Sequence, residues 1–567
     1  MPDNIYLFFL FYFTILFSII GYGFFFNHVI GISHNSINFG YTGLFGLFLG
    51  LIISYLSNFF LAHDYIFNSI FIIVGLFLFS YTLLKKFSFY KKEFLILLIV
   101  FFCLFISSLA FKTHDDFPYY HFPYTYYLTQ QDLALGVGQF NHGFRTPSSI
   151  FYLSSLFYLP FIEYYAFQFA AIYILGFSNI ILLKKFYYLF ADIKFKKIDF
   201  INYLSLFAFI FINIFFYRIS EHGTDRSAQI LIFLLVVEIL YFANLNKFSS
   251  SNLLYVYTLL AIIISLKSFY FLYLLFLFPL FIYFFEKNKN LYLTIKVFIF
   301  NRSTIVLSSL IFFVLATYFF NTGCLIYPVS FTCFENFDWA LPITEVERMN
   351  NHYELWSKAG RGPNFIVDNP DEYIKNFYWT SHWIREYFFN KVSDFLLGLI
   401  VLITTLCIFF INLKNKIKNF KISKLSLFTL IVLIILLIEW FYNHPSLRYG
   451  GYCIIALILF IPLSIFFEKN KISIKKFNKS TSILLILTVI IFVGRNFDRI
   501  NKEIELYNYK PINETYYQVT EHYFRVQKNM DELINEYNNC KNFQSDCNLN
   551  KQKISQNFNK LIFKVGK

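Results

Sequence analysis

The run FLILLIVFFCLFISSLAF at residues 94–111, followed at once by Lys112-Thr113-His114-Asp115-Asp116-Phe117-Pro118-Tyr119-Tyr120-His121, decides how the whole chain is read. The first part carries no charge. As a helix rising about 1.5 Å per residue, it comes close to crossing a hydrocarbon core about 30 Å thick. The second part sets two adjacent carboxylates and two histidines at the end of that span. A membrane helix that delivers a polar cluster to the bilayer surface is the unit from which the rest follows.

Apolar stretches of similar length recur at 5–26, 41–60, 66–84, 161–183, 200–217, 228–245, 253–266, 269–285, 303–320, 393–413, 425–442, 452–467 and 480–495. Together with 94–111 they predict an all-α integral membrane protein, a bundle of about 13–14 transmembrane helices. Of the 567 residues, 57% are hydrophobic and 14% charged, whereas soluble domains are about a quarter charged. No core of this chain length hides that much apolar surface, so lipid must cover it. The 82 Phe and 44 Tyr rise together with Ile, Asn and Lys, as AT-rich coding produces, and carry no aromatic-specific function. The stretch 5–26 lacks a basic flank before it and a small-residue cleavage site after it, so a retained first helix is expected.

The net charge is +14, and the lysines lie scattered between spans. That distribution suits membrane topology and not a nucleic-acid-binding domain. Basic connections occur at Lys85, Lys86, Lys91 and Lys92, at Lys184, Lys185, Lys194, Lys196 and Lys197, at Lys287 and Lys289, and within 414–424 and 469–479. The positive-inside rule puts these in the cytoplasm. The alternate connections 112–160, 218–227, 321–392 and 443–451 carry fewer lysines and fall outside. This parity requires 253–285 to be two half-length helices, broken around Lys267 and Ser268. The organisation expected is therefore N-terminal helices in 1–93, a core with an acidic outer loop in 94–320, a large outer loop in 321–392, C-terminal helices in 393–495, and a soluble tail in 496–567 on the outer side. Cys324 and Cys333 fall in that loop, and Cys540 and Cys547 in that tail. Two close pairs on an oxidising side suggest two short disulfides, although sequence alone does not fix connectivity.

Asp115, Asp116 and His121 form the densest polar group. In an adjacent carboxylate pair, one charge raises the neighbour's proton affinity, and such a group accepts a proton from an attacking hydroxyl. The competing reading is an ordinary hydrated loop. The stretch Gly136 to Ser149 is rich in glycine and polar residues, but no strand and helix flank it as a nucleotide site requires, so no nucleotide cofactor is expected. Four outer connections, counting the break at Lys267, each present a cation near the bilayer: Arg145, Arg226, Lys267 and Arg448. Any one of these is what a snorkelling side chain looks like. Together they run against the positive-inside trend, and a lipid-linked phosphate would account for them, because guanidinium pairs well with phosphate oxygens.

The span followed by Asp115-Asp116-Phe117-Pro118-Tyr119-Tyr120-His121 resembles the first outer loop of the GT-C superfamily. These are polytopic glycosyltransferases, including the protein mannosyltransferase-like and aminoarabinose transferase-like proteins. Gly223-Thr224-Asp225, the break at Leu266-Lys267-Ser268, Tyr327-Pro328 and Pro445-Ser446-Leu447-Arg448-Tyr449 are similar to bacterial members. The resemblance spans about residues 94–470. It implies a GT-C-like bundle in the cytoplasmic membrane, with its site facing the periplasm or exterior. The implied reaction moves a sugar from a polyprenyl-phosphate donor to a glycan, lipid or protein acceptor. Asp115 or Asp116 would be the base, with His121 and Asp225 shaping the site. Arg226, Lys267 and Arg448 would hold the phosphate. Some members use a divalent metal and others do not, and Asp115, Asp116 and His121 have ligand chemistry for one. Two rival readings are an O-antigen polymerase or ligase, and a transporter or flippase for lipid-linked glycans. The transporter would use charges deep within spans, of which Glu163, Glu238 and Glu439 are the candidates.

Overall fold

The computed structural model describes residues 5–32, 38–190, 197–221, 223–244, 250–359, 367, 369–412, 422–543, 553–557 and 560–564. Ten helical stretches in it are long and apolar enough to cross a membrane: Ile5–Ile30, Phe39–Asn58, Tyr65–Ser88, Tyr164–Phe186, Ser268–Asn288, Arg302–Thr322, Thr380–Phe410, Lys424–Asn443, Gly451–Asn470 and Ile474–Tyr507. Two shorter apolar helices, Phe200–Phe215 and Asn252–Leu266, coincide with further expected spans. The chain is a multi-pass, all-α membrane protein. Ten is fewer than the 13–14 spans expected, because several stretches are too short or, like Gly223–Tyr241, too charged to qualify alone.

Burial sorts the helices into layers. Tyr164–Phe186 is buried throughout its apolar window, and Gly223–Tyr241 is buried from Ser227 to Leu240. These two form the centre, packed against each other and against Phe200–Phe215. At the periphery, Ile66, Ile70, Ile73 and Phe77 face outward, as do Leu397, Ile400 and Ile408 on a far helix. Such broad exposed apolar faces are stable only against lipid.

The first three helices approach closely through glycine. A Cβ on Gly46 would lie 1.9 Å from the Ile19 carbonyl oxygen, and one on Gly21 1.9 Å from that of Gly75. Small residues at these crossings let backbones touch, the contact that holds helices together where lipid removes the hydrophobic drive. The two spans expected at 66–84 and 94–111 are two helices within Tyr65–Phe105, parted at Lys86, whose backbone leaves the helical region (φ −139°, ψ 30°). The lysine-rich connection between them holds no Gly or Pro, so helix runs up to Lys86 from both sides. The division expected between residues 93 and 94 therefore falls inside a helix.

Helix Ser250–Leu266 ends at Lys267, whose backbone is extended (φ −163°, ψ 144°), and the chain continues as a 3-10 turn, Ser268–Phe276, into Leu277–Asn288. The last apolar span continues as helix to Tyr507, well past the membrane stretch expected at 480–495. Beyond it, helix Glu521–Phe543 and the antiparallel hairpin Ile554–Asn557 with Lys560–Phe563 fold back onto the bundle. The Thr113 and Tyr523 hydroxyls lie 2.9 Å apart, the Gln518 amide donates to the Phe111 carbonyl, and the hairpin pairs with Leu135. The tail and the acidic loop thus share one end of the bundle. Cys324 and Cys333 form a disulfide. Cys540 is also disulfide-bonded, and Cys547 lies outside the described residues.

Candidate functional site

The helix Tyr65–Phe105 gives way at Ile106–Ser108 to a tighter turn, and the chain then crosses the end of the bundle as the acidic loop. A buried charge network fixes that exit. Arg499 donates to the Leu109 carbonyl at 2.7 Å, and Glu503 accepts from the Phe111 amide at 3.0 Å. Arg499 lies 3.6 Å from Glu221, which Arg218 clasps through both carboxylate oxygens. Ser220 donates to the Ser107 carbonyl at 2.7 Å. The last long helix therefore ties the start of the acidic loop to the segment leading into Asp225. Sequence reading left Arg499 and Glu503 in a soluble tail. The available signal was their i, i+4 spacing on a polar continuation of an apolar helix.

Four connections then converge. The Asp116 carboxylate lies 3.3 Å from the Arg448 guanidinium and 3.6 Å from His114. Asp225, in the first turn of Gly223–Tyr241, pairs with Lys267 at 2.7 Å. Tyr449 joins the two pairs: its hydroxyl accepts from Arg448 at 3.0 Å, and Lys267 sits 4.8 Å from the centre of its ring. Trp356, on the outer-loop helix Ile343–Ala359, lies over the Arg448 guanidinium at 4.1 Å. The connection bearing Arg448 is held from both sides. Trp383 donates to the Pro445 carbonyl at 2.9 Å, and Gln229 donates to the Arg448 carbonyl at 2.9 Å.

The remaining expected residues take different places. Asp115 is not in the cluster: its side chain is 88% exposed and 3.9 Å from Lys112. His121 is buried against Phe151, 5.2 Å between ring centres, and its Nε2 has no hydrogen-bond partner in the protein. Burial pushes its pKa down to about 3 against the pull of Asp116, so it is neutral there. Arg226 packs between the rings of Phe216 and Tyr452 at 4.6 and 4.3 Å. Arg145 stands apart, donating to the Gly138 carbonyl and pairing with Glu345 at 2.7 Å. Arg348 and Arg145 hold that carboxyl below its ordinary range. Buried polar atoms without a protein partner gather around the cluster: His121 Nε2, Arg226 Nη1, Arg448 Nε and the Tyr270 hydroxyl. Each such atom costs about 1–3 kcal/mol unless something meets it. Among the described residues, no three His, Cys, Asp or Glu side chains gather as a metal-ligand set.

Chemically, the cluster offers two carboxylates and two cations at one end of the bundle, with Trp356 lying over the Arg448 guanidinium. No curated protein and no solved structure matches the chain. It belongs to a family described as a domain of unknown function (DUF8201), matched over residues 5–455.

Proposed function

We propose that this member of the DUF8201 family is a glycosyltransferase of the GT-C kind, moving a sugar from a polyprenyl-phosphate donor to a hydroxyl acceptor at the outer face of the cytoplasmic membrane. The observation that carries the proposal is the meeting of Asp116, Asp225, Lys267 and Arg448, from four separate connections, as two ion pairs joined through Tyr449. Asp116 is the base, because it faces the cations while Asp115 faces solvent. The acceptor oxygen attacks the anomeric carbon and its proton passes to Asp116. The bond from that carbon to the phosphate oxygen breaks, and its electron pair leaves on the phosphate. Lys267 and Arg448, with Arg226 nearby, stabilise that charge, the kind of prearranged stabilisation that contributes most to such reactions. Phosphate oxygens also compete with Asp116 for Arg448, so donor binding frees the carboxylate to act as base.

The opposite ends of the same helices support this orientation. Lys184 pairs with Glu93, Lys185 with Glu238, and Lys424 with Glu286, all remote from Asp116. Lysine-rich helix ends are favoured in the cytoplasm, which supports an outward-facing cluster.

The test is transfer of labelled sugar from the cell's own polyprenyl-phosphate pool in membrane vesicles. Asp116→Asn is expected to lower the rate about 10²–10⁴-fold, and Asp115→Asn to leave it near wild type. Size-exclusion profiles check that both variants fold. Full activity in Asp116→Asn, or equal losses in the two, would sink the assignment.

A further inference from the structure

A second polar cleft, of about 360 Å³, opens where three distant segments meet. Gln139 and Arg145 come from the continuation of the acidic loop. Leu341, Pro342 and Glu345 come from the approach to helix Ile343–Ala359 and its first turn. Lys553 and Lys564 flank the C-terminal hairpin. Its volume lies in the range of small-ligand sites.

The charges do not balance. Glu345 is shared by Arg145 at 2.7 Å and Arg348 at 2.6 Å, and Lys564 reaches Asp338 at 3.1 Å. With Lys553, four cations face two carboxylates among these residues. The Gln139 amide nitrogen donates to the Ala340 carbonyl at 2.9 Å, while its amide oxygen is buried and has no donor. The cleft therefore offers surplus positive charge to an anion and a buried acceptor to a hydroxyl. A sugar ring bearing a carboxylate supplies both from one unit, whereas a phosphodiester group, with no hydroxyl of its own, supplies only the anion. The cleft also neighbours the Asp116 cluster: helix Ile343–Ala359 carries both Glu345, which lines the cleft, and Trp356, which lies over the Arg448 guanidinium at 4.1 Å.

We propose that this cleft binds an acidic saccharide and so receives the uronate-like unit of the acceptor glycan, an inference that rests on the transferase reading and adds an acceptor class to it.

The test titrates tetragalacturonate into the detergent-purified full-length protein, with maltotetraose as the neutral control. Tetragalacturonate is expected to bind more tightly than maltotetraose, and more weakly as salt rises. Lys553→Glu combined with Lys564→Glu is expected to weaken it about tenfold or more, the scale of losing charge-assisted contacts. Gln139→Leu is expected to weaken binding while leaving its salt dependence unchanged. Lys553→Gln alone, at an exposed side chain, repeats the test without disturbing the Lys564 pair. No preference over maltotetraose, or affinity unchanged in the lysine variants, overturns the cleft. Lysine-dependent uronate binding without any transfer overturns the transferase and leaves the cleft standing. Asp116-dependent transfer without uronate binding does the reverse.

Discussion

At Asp116 the carboxylate lies 3.3 Å from Arg448, while one residue earlier Asp115 points into solvent beside Lys112. The sequence made the pair visible as a candidate base but gave no means of choosing between its members, because the choice depends on a residue 332 positions away. The same holds for the cations. Arg145, Arg226, Lys267 and Arg448 read alike as outer cations, yet Lys267 and Arg448 meet carboxylates at the cluster, Arg226 packs between aromatic rings, and Arg145 serves another cleft. Arg499 was overlooked, and it has a sharp consequence. Its side chain is 7% exposed and stands between Glu221 and Glu503. Removing one partner from a buried charge group typically costs about 3–5 kcal/mol, because it leaves the others uncompensated. Arg499→Met is therefore expected to lower the unfolding midpoint in detergent by several degrees. Adding Glu503→Gln should recover part of the loss, as coupled sites do. Additive losses in the double variant would show that the charges do not act as a network.

At the scale of elements, helix existence was legible in hydropathy, whereas helix joints were not. The lysine-rich segment after residue 84 reads as a loop of several residues because it is charged, yet the break between the two helices narrows to Lys86 alone. The break at Lys267 was legible, because only two helices in place of one long span keep the later lysine-rich connections on one side, although Ser268–Asn288 is long enough to cross by itself. Its consequence was not: the extended backbone at Lys267 lets its ammonium reach Asp225 from the end of a neighbouring helix. Close helix crossings give a direct test. Gly46→Leu must displace the Ile19 backbone and is expected to destabilise the first helices by about 2–3 kcal/mol, the range for overpacking. Gly494→Leu, where nothing lies within 4 Å, is expected to stay within about 0.5 kcal/mol of wild type. Thermal unfolding of the two variants in the same detergent decides, and equal midpoints would remove the close-packing account.

Taken whole, the molecule has two chemically distinct ends. At one, lysine–glutamate pairs join different helices, as Lys184 with Glu93 and Lys424 with Glu286 do. The other collects the acidic loop, the outer loop and the tail. A reporter active only outside the cytoplasm is expected to work when fused after Asn321 and to stay silent after Lys418; the opposite pattern would turn the cluster to face the cytoplasm. The sequence by itself determined that this is a multi-pass helical membrane protein, where its apolar helices run, and which polar stretches lie between them. Those properties are local: hydropathy over about 20 residues decides whether a segment favours lipid, and flanking charge decides its end. Only the tertiary structure decided that Asp116 and not Asp115 meets Arg448, that Arg145 leaves the cluster, and that the tail returns to cover the acidic loop. Each of those contacts joins residues far apart in the chain, and their geometry is set by how helices pack, which no window of sequence contains.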